Sequence, residues 1–487
     1  MDELCGFVLR IDGRIKQART ANEPIATVNL VLSEGGTERR IAITMESAGE
    51  VRVLEQSRIF PTMESAASPP SLPLTFFDVL WSTAGPVRRL FFYDFPHPAA
   101  VFTVSVLPKL KSSLSLTLSR FYPLAGNLRC SASHDDVSEI GCTGGESLSF
   151  VLAECDSGFH ELSGDYARDL SKLQRLAPRP IWSGAAKPLL AVQVTVFPDQ
   201  GFTVGVWVHH VACDGSSFMH FVKSWASACR AVGIVEPAAP LFDRTAIPNP
   251  LQLRSVNFIP GYESSGTREA STLASNLVTA TFALGQDHIQ RLKCWVMAKA
   301  RERNTTFHCS TVVVTYAYVW VCLLKTLGDA GDETAHFTFT ADTRARLGSP
   351  LPETYFGNCI IPCFVEVKVS DLVGEDGIFA ASEAIGKAIE DLEHGALKGV
   401  HGLCERWYHV TQKLPMTLAG SPKFKVYDTD FGWGRPVKVE MVMQRSRAVW
   451  LQDSRRGDGV EIGLSFEQHQ MDVFERHFLR GLKLLPE

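Results

Sequence analysis

Residues 189–215 read LLAVQVTVFPDQGFTVGVWVHHVACDG, and this stretch decides the fold. Leu189–Phe197 and Gly201–His210 are two alternating runs, and Pro198-Asp199-Gln200 between them is a turn signal. The pattern predicts a strand, a turn and a second strand. A helix is predicted next, because a set of apolar residues then recurs on one helical face: Phe218, Phe221, Val222, Trp225, Ala226 and Cys229.

His210 stands at the end of the second predicted strand, where the chain must turn. It shares a strand face with an apolar row, namely Phe202, Val204, Val206 and Val208. Asp214-Gly215-Ser216 then supplies a turn and a helix N-terminus. An imidazole in this place is partly shielded from water yet reachable from a cleft. Its ordinary pKa of about 6.5 suits a general base at neutral pH.

Three other interpretations of this segment stay open. A strand-end histidine near Asp214 is often structural, and the carboxylate then orients the loop or the ring by pairing with an arginine. A metal site would need a third ligand, and no other His/Cys/Asp/Glu cluster has ligand spacing. Cys213 lies between His210 and Asp214 like a thiol nucleophile, but a residue three positions from the strand-end histidine does not easily face it.

Length and composition limit the classes of protein to which this chain can belong. The chain has 487 residues, 45% of them hydrophobic, and a net charge of −5. These values exclude a disordered chain, a collagen-like fibre and a disulfide-stapled miniprotein, and the length favours two domains or more, or one large fold. The phosphate backbone of a nucleic acid is bound by a positively charged protein surface, and this chain has no excess of basic residues. Nucleic-acid binding is therefore not expected. The 12 cysteines are scattered without a CxxC pair, which predicts a reducing compartment, the cytoplasm.

The stretch Asn304–Leu324 carries no Lys, Arg, Asp or Glu. A membrane-spanning helix needs about 20 predominantly apolar residues, whereas the first third of this stretch is mostly Asn, Thr, His and Ser. We therefore predict a helix buried in a large globular protein. The first residues of the chain also lack the basic-then-apolar pattern of a secretory signal, so we expect no membrane association and no secretion.

The remaining pattern predicts two α/β domains of similar size, each with a mixed sheet and helices. They span residues 45–233 and 276–487, and the proline-rich stretch 234–275 between them is predicted as a linker. Within residues 1–44, the alternating segments Ala26–Leu32 and Arg39–Thr44 predict a β-hairpin. This N-terminal segment is either a genuine extension or the product of an upstream translation start outside the working fold.

Two segments that combine aromatic residues with glycine stand out in the second half. Asp430–Pro436, DFGWGRP, has a glycine on each side of Trp433, which indicates a tightly bent loop with positive φ. Tyr355–Cys359, YFGNC, is a turn that leads into a strand. Each segment alone also fits a plain turn. The sequence has no GxSxG elbow, GxGxxG or GxxxxGK, so neither a serine hydrolase nor a nucleotide-dependent enzyme is expected.

Taken together, HHVACDG, YFGNC and DFGWG, in this order and spacing, resemble the plant BAHD acyltransferase family. Further segments match that family: SLPLTFFD (Ser71–Asp78), RLFFYDFP (Arg89–Pro96), LSRFYPLAGNLR (Leu118–Arg129), STVVVTYAYVWVCLLK (Ser310–Lys325) and VEIGLSFEQHQMDVF (Val460–Phe474). The resemblance extends from about Val51 to the C-terminus, and residues 1–44 have no counterpart in it.

The resemblance implies an α/β fold of two similar-sized domains related to chloramphenicol acetyltransferase, with a solvent channel between them. Acyl-CoA, the cosubstrate, would enter from one face and the acceptor from the other. The family pattern implies no metal and no permanently bound cofactor, and a monomer is expected.

On the matching positions, the resemblance implies that His210 takes the proton of the acceptor as it attacks the thioester carbonyl, and then returns it to the CoA thiolate. No acyl-enzyme forms on this route. The indole N–H of Trp433 is a candidate donor to the oxyanion, whose stabilisation often contributes more than any other effect to the rate of acyl transfer. Asp214 is implied to point away from the reacting centre and to pair with Arg344. The other candidate positions are Ser310 and Thr311 as CoA contacts, Asp430 as a site residue that fixes its loop, and Gly432 and Gly434 as structural residues.

Within the family, the surroundings of YFGNC resemble the anthocyanin and phenolic glucoside acyltransferases. This implies transfer of a malonyl or hydroxycinnamoyl group from CoA to a hydroxyl of a phenolic or flavonoid glucoside. The open alternatives are another alcohol or an amine as acceptor with acetyl-CoA, a catalytically silent acyl-CoA-binding relative, and a hydrolase that splits the thioester with water.

Overall fold

The computed structural model describes the following residues of the chain: 26–34, 37–45, 51–62, 71–82, 84–129, 138–142, 145–180, 187–230, 237–250, 276–328, 333–395, 397, 400, 402–413, 415–443 and 448–485. The chain divides into two compact units, Met1–Glu50 and Val51–Glu487. Most of the predicted linker 234–275 lies outside the described residues, which include only 237–250 of it. The domain boundaries near this segment therefore stay predictions.

The first unit contains an antiparallel β-hairpin, as its alternating pattern predicts. Strands β1 (Ala26–Glu34) and β2 (Thr37–Met45) pair in register from Ala26 opposite Met45 to Glu34 opposite Thr37. The remaining residues of this unit lie outside the described part of the chain, and the two interpretations of residues 1–44 both stay open.

The second unit is built on two large mixed sheets, which confirms the predicted α/β class. The six-stranded sheet has the spatial order β17 (Lys438–Met441), β5 (Val87–Asp94), β12 (Gly201–Val208), β11 (Leu190–Phe197), β8 (Leu148–Cys155) and β3 (Val51–Ile59). The seven-stranded sheet has the order β15 (Ile360–Lys368), β14 (Thr334–Asp342), β16 (Met416–Ala419), β18 (Ala448–Asp453), β19 (Val460–Glu467), β13 (Leu277–Leu284) and β9 (Arg168–Asp169). A smaller sheet joins β10 (Lys187–Pro188), β6 (Asn127–Arg129), β7 (Glu139–Gly141) and β4 (Leu72–Pro73).

Helices cover the faces of these sheets and connect their strands. The described α-helices are α1 (Phe76–Leu80), α2 (Ala99–Val101), α3 (Leu107–Arg120), α4 (Phe159–Ser163), α5 (Leu170–Arg175), α6 (Gly215–Arg230), α7 (Gln286–Glu302), α8 (Thr311–Leu327), α9 (Val369–Val373), α10 (Gly377–Glu390), α11 (Leu403–Gln412) and α12 (Gln468–Lys483). The apolar face predicted for α6 is buried along its whole length, which confirms that helix.

The antiparallel pair β11 and β12 lies in the middle of the six-stranded sheet. Every residue of both strands is buried, because both faces of the sheet are covered. The register pairs Phe197 with Gly201, and Asp199 in the turn adopts a positive φ of 60°. The second strand ends at Val208, two residues earlier than the alternating pattern predicts. His209 and His210 therefore lie beyond the sheet, in the segment that leads into α6.

Helix α8 is the buried helix that the uncharged stretch predicts. All of its residues from Val313 to Leu324 are buried, and it packs against α10 and α12 on the seven-stranded sheet. Within the described ranges, no helix combines the length and the apolar composition needed to cross a membrane.

Each large sheet takes one strand from the other half of the chain. Strand β17 pairs with β5 in the six-stranded sheet, and β9 pairs with β13 in the seven-stranded sheet. A buried ion pair joins these two exchanged strands, with Arg168 Nη2 2.8 Å from Glu440 Oε2. Lys438 Nζ lies 3.8 Å from the same oxygen and donates to Thr281 Oγ1 at 2.6 Å. Since buried charges need partners, these contacts hold the two sheets together.

We expect Glu440→Gln to lower the free energy of unfolding by about 3 kcal/mol, because it leaves the buried Arg168 without its carboxylate partner. Chemical denaturation measures this loss. The control is Arg52→Ala, which removes an ion pair between Glu154 and an exposed arginine. That loss should stay below about 1 kcal/mol. Equal losses in the two variants would contradict a stabilising role for the buried pair.

Candidate active site

A large cavity of about 2250 Å³ is lined by residues from both halves of the chain. The first half contributes, among others, Trp81, Arg88, His209 and His210, and the second half contributes Val312, Tyr316, Thr338 and Trp407. The strand-end histidine that the sequence singles out therefore opens onto this cavity, at a position where both halves meet.

The His210 backbone and ring are held by different neighbours. The His210 carbonyl accepts a hydrogen bond from Asn358 Nδ2 at 2.9 Å. The imidazole stacks on the Trp81 indole, with the ring centroids 4.9 Å apart and the planes 18° from parallel. Its Nδ1 is buried and has no hydrogen-bond partner among the described residues. Because the half-buried ring lines the cavity, Nε2 is the nitrogen available to a substrate.

The charge state of His210 follows from its surroundings. Burial lowers the pKa of the imidazole below its ordinary value. The His210 carbonyl, the charge of Asp214, the Asn358 amide and the charge of Asp78 oppose this effect without reversing it. The ring is therefore neutral at neutral pH. A neutral imidazole with an available nitrogen can accept a proton from a hydroxyl or an amine.

Asp214 is fully occupied by structural contacts. Its carboxylate forms a bidentate ion pair with Arg344, with distances of 2.8 Å to Nη1 and 3.1 Å to Nη2. It also accepts hydrogen bonds from the backbone N–H groups of Ser217 and Cys359, both at 3.0 Å. Asp214 and Arg344 are only 1% and 5% exposed. This is the pairing that the family resemblance implies, and it ties the His210 loop to the YFGNC segment.

Two site residues, Asn358 and Asp78, carry no role in the sequence-based prediction. Asn358 Nδ2 donates to Asp78 Oδ1 at 3.0 Å as well as to the His210 carbonyl, and both side chains are fully buried. Asp78 also accepts the Thr75 N–H at 2.8 Å in a capping box at the start of α1. Arg244, from the predicted linker segment, pairs with Asp78. The Thr75-x-x-Asp78 spacing before an apolar run was the available signal for this capping box.

The DFGWG loop is placed away from the cavity. Asp430 Oδ1 accepts the N–H groups of Gly432 and Gly434 at 2.7 and 3.0 Å, and these glycines have positive φ values of 107° and 92°. The Trp433 ring packs edge-on against Phe202, with the centroids 6.0 Å apart. None of these loop residues lines the cavity that contains His210. Asp430 thus fixes its own loop. The position of Trp433 does not support its predicted role as a donor to the oxyanion, because Trp433 does not line the cavity.

Ser310 and Thr311 lie at the start of α8. Ser310 is the N-cap residue, and its hydroxyl accepts the Val313 N–H at 3.4 Å. Val312 and Tyr316, one helical turn apart, line the cavity, whereas Ser310 and Thr311 do not line it. Their predicted contact with CoA stays a prediction.

The alternative chemistries find little support in this site. Burial raises the pKa of the Cys213 thiol well above its ordinary value, so this residue is not a thiolate nucleophile at neutral pH. Across the residues with assigned positions, no group of three His, Cys, Asp or Glu side chains is arranged to hold a metal ion. What remains is a neutral imidazole at a cavity wall, an arrangement suited to general-base chemistry.

Known proteins are similar in sequence to this chain over most of its length. A family model described as the Transferase family matches residues 49–480. Malonyl-coenzyme A:anthocyanin 3-O-glucoside-6''-O-malonyltransferase of Dahlia pinnata is 35% identical, over 90% of this chain and 99% of that protein. Coumaroyl-CoA:anthocyanidin 3-O-glucoside-6''-O-coumaroyltransferase 2 of Arabidopsis thaliana is 35% identical, over 88% and 97%. Phenolic glucoside malonyltransferase 2 of Arabidopsis thaliana is 34% identical, over 89% and 99%.

Solved structures share the fold. Vinorine synthase superposes with a TM-score of 0.68 at 22% identity, over 88% of this chain and 98% of that one. TRI101 of F. sporotrichioides, in complex with coenzyme A and T-2, gives a TM-score of 0.61 at 16% identity, over 84% and 97%. These likenesses confirm the predicted α/β fold of the chloramphenicol acetyltransferase type. Because the family model and the relatives both cover most of the sequence, the chain belongs to the Transferase family, the BAHD acyltransferases, and is an enzyme that transfers acyl groups.

Proposed function

We propose that this enzyme transfers a malonyl or hydroxycinnamoyl group from CoA to a sugar hydroxyl of a phenolic or flavonoid glucoside, with His210 as the general base. The observation that carries the proposal is the neutral imidazole at the wall of a cavity lined by both halves of the chain. The choice of substrates is supported by the relatives, which are named for malonyl and coumaroyl donors and for anthocyanin or phenolic glucoside acceptors.

In the proposed reaction, the acceptor hydroxyl donates a hydrogen bond to His210 Nε2. As its oxygen attacks the thioester carbonyl carbon, the proton moves to the imidazole and a tetrahedral oxyanion forms. The oxyanion then collapses, the C–S bond breaks, and the imidazolium returns the proton to the CoA sulfur. Both substrates must be bound together, and no side chain of the enzyme is acylated.

The size of the cavity supports a complex that holds both substrates. A pocket for one drug-sized ligand measures about 300–1000 Å³, whereas this cavity measures about 2250 Å³. We retain Ser310 and Thr311 as CoA contacts in this proposal, because the next residue, Val312, lines the cavity. The proposed reaction needs no metal and no bound cofactor besides acyl-CoA.

The purified enzyme, given malonyl-CoA or coumaroyl-CoA and a flavonoid glucoside, should release free CoA thiol and add the acyl mass to the glucoside. We expect His210→Ala to lower kcat/KM by about 10²–10⁴-fold, which is the usual contribution of a general base. A thiol assay and mass spectrometry of the glucoside measure both results.

The control for this variant is His469→Ala, since that side chain is 73% exposed on α12 and should leave activity unchanged. Full activity of His210→Ala would show that His210 is not the general base.

The same assay is repeated with other acceptors, including amines, and with acetyl-CoA as donor. Transfer only to amines or only from acetyl-CoA would indicate an acyltransferase with other substrates. Thioester hydrolysis alone would indicate a hydrolase, and CoA binding without turnover would indicate a catalytically silent relative.

The pH profile gives a second test, because only the neutral imidazole accepts a proton. Activity should fall as pH decreases through the pKa of His210. Burial lowers that pKa, so the acidic limb of kcat/KM should lie below the ordinary histidine value of about 6.5. An acidic limb above that value, which disappears in His210→Ala, would contradict the environment described for this ring.

Asp214→Asn should reduce stability and activity together, since it breaks a buried bidentate pair and leaves Arg344 without its main partner. The expected loss in the free energy of unfolding is about 3 kcal/mol. Thermal melting followed by circular dichroism separates this variant from His210→Ala, which should keep its melting temperature. An Asp214→Asn variant with normal stability and lost activity would instead indicate a direct chemical role for the carboxylate.

A further inference from the structure

The imidazole of His210 has an unusual set of neighbours for a general base. In many acyl-transfer enzymes, a carboxylate hydrogen-bonded to the far ring nitrogen orients the base. Here, the carboxylate four residues away, Asp214, is bound to Arg344 and to backbone N–H groups. The buried Nδ1 of His210 has no hydrogen-bond partner in the described part of the chain. The His210 carbonyl and the Asn358 amide lie near enough to raise the pKa of the ring, but neither makes a hydrogen bond to Nδ1 that meets normal geometry. A strong hydrogen bond to Nδ1 therefore does not account for the orientation of the ring.

The contact that does define the plane of the ring is the stack on Trp81. The two planes are 18° from parallel and the centroids are 4.9 Å apart, within the range of stacked aromatic pairs. The indole is itself fixed, because Nε1–H donates to the Ile360 carbonyl at 3.0 Å. The Trp407 ring meets the indole nearly edge-on at 5.5 Å. A buried, hydrogen-bonded indole is a rigid platform.

We infer that Trp81 is a positioning residue for His210, one that fixes the plane of the imidazole and stabilises the imidazolium formed during acyl transfer. The inference rests on the proposed role of His210 as the base. A cation over the face of an aromatic ring is attracted by the ring quadrupole, and tryptophan gives the strongest attraction of this kind. The stack therefore acts more strongly on the protonated state than on the resting state, which is the condition for lowering a barrier.

The position of Trp81 in the fold explains how the platform is held. It directly follows α1, whose Asp78 binds Asn358, the residue that donates to the His210 carbonyl. The backbone and the ring of His210 are thus both held from this short helix. Trp81 itself belongs to the hydrophobic core of the seven-stranded sheet, whereas His210 follows a strand of the six-stranded sheet. Correct packing of the two sheets against each other therefore places the base.

Other charged groups around His210 must be kept constant in a test. Asp214 and Asp78 act on the ring by charge, and each is paired with an arginine, Arg344 and Arg244 respectively. His209 is the neighbouring titratable ring, and burial lowers its pKa to about 3, so it stays neutral at working pH. Substitutions at Trp81 leave all of these groups in place, so a change in the titration of His210 reports the stack.

The experiment compares the wild type with Trp81→Phe, which keeps an aromatic face, and Trp81→Leu, which keeps only apolar bulk. In Trp81→Leu, we expect kcat to fall about 10-fold and the acidic limb of the pH profile to move about half a pH unit lower. The sign follows because loss of the stack destabilises the imidazolium. Trp81→Phe should retain most of the turnover and show a smaller movement. Circular dichroism melting confirms that each variant is folded.

A second readout does not depend on the substrates. NMR titration of the histidine rings, with the His210 signal assigned through its absence in His210→Ala, should give pKa values that decrease in the order Trp, Phe, Leu at position 81. Trp81→Phe alone tests this order if the leucine variant does not fold. Identical His210 titration in the wild type and in the folded variants would overturn the inference. The proposed function fails separately, if the wild type transfers no acyl group although the titration follows the expected order.

Discussion

The buried ion pair between Asp214 and Arg344 is the contact on which the site depends. Removing two charges from water is costly, and only good geometry with additional hydrogen bonds compensates for it. Asp214 follows a strand of the six-stranded sheet, and Arg344 follows a strand of the seven-stranded sheet. The compensation therefore exists only when both sheets are in place. The arrangement of the His210 loop therefore depends on both halves of the chain being folded.

Helix α1 adds a second tie between the halves, made of hydrogen bonds and aromatic contacts. Asp78 binds Asn358 and Arg244, and Trp81 stacks on His210 while donating to the Ile360 carbonyl. These groups are buried, so each must find a partner within the protein. The result is a histidine, the proposed base, whose backbone and ring are both held in place by the fold itself. Such preorganisation lowers the cost of reaching the transition state.

Local pattern predicts the elements around the site well. Alternation along residues 189–208 predicts the two central strands, and the apolar face of residues 218–229 predicts α6, since both depend on periodicities that the backbone imposes. His210 is found because it stands where a buried strand ends. The uncharged run from Asn304 predicts a buried helix for a similar reason, as burial on all sides leaves no polar face. Motif matching is less informative about distance in space. The DFGWG segment is one of the ordered motifs that carry the family resemblance, yet its Trp433 packs on Phe202 and the cavity is lined by other residues.

The sequence by itself determined the α/β class, the central hairpin, the buried helix, the family and the histidine at the strand end. Each of these follows from local periodicity, turn chemistry or an ordered set of motifs. Only the tertiary structure decided that Asp78 and Asn358 hold the His210 loop and that Trp81 faces the imidazole. The physical reason is that these contacts join residues far apart in the chain, and burial selects partners by position in space.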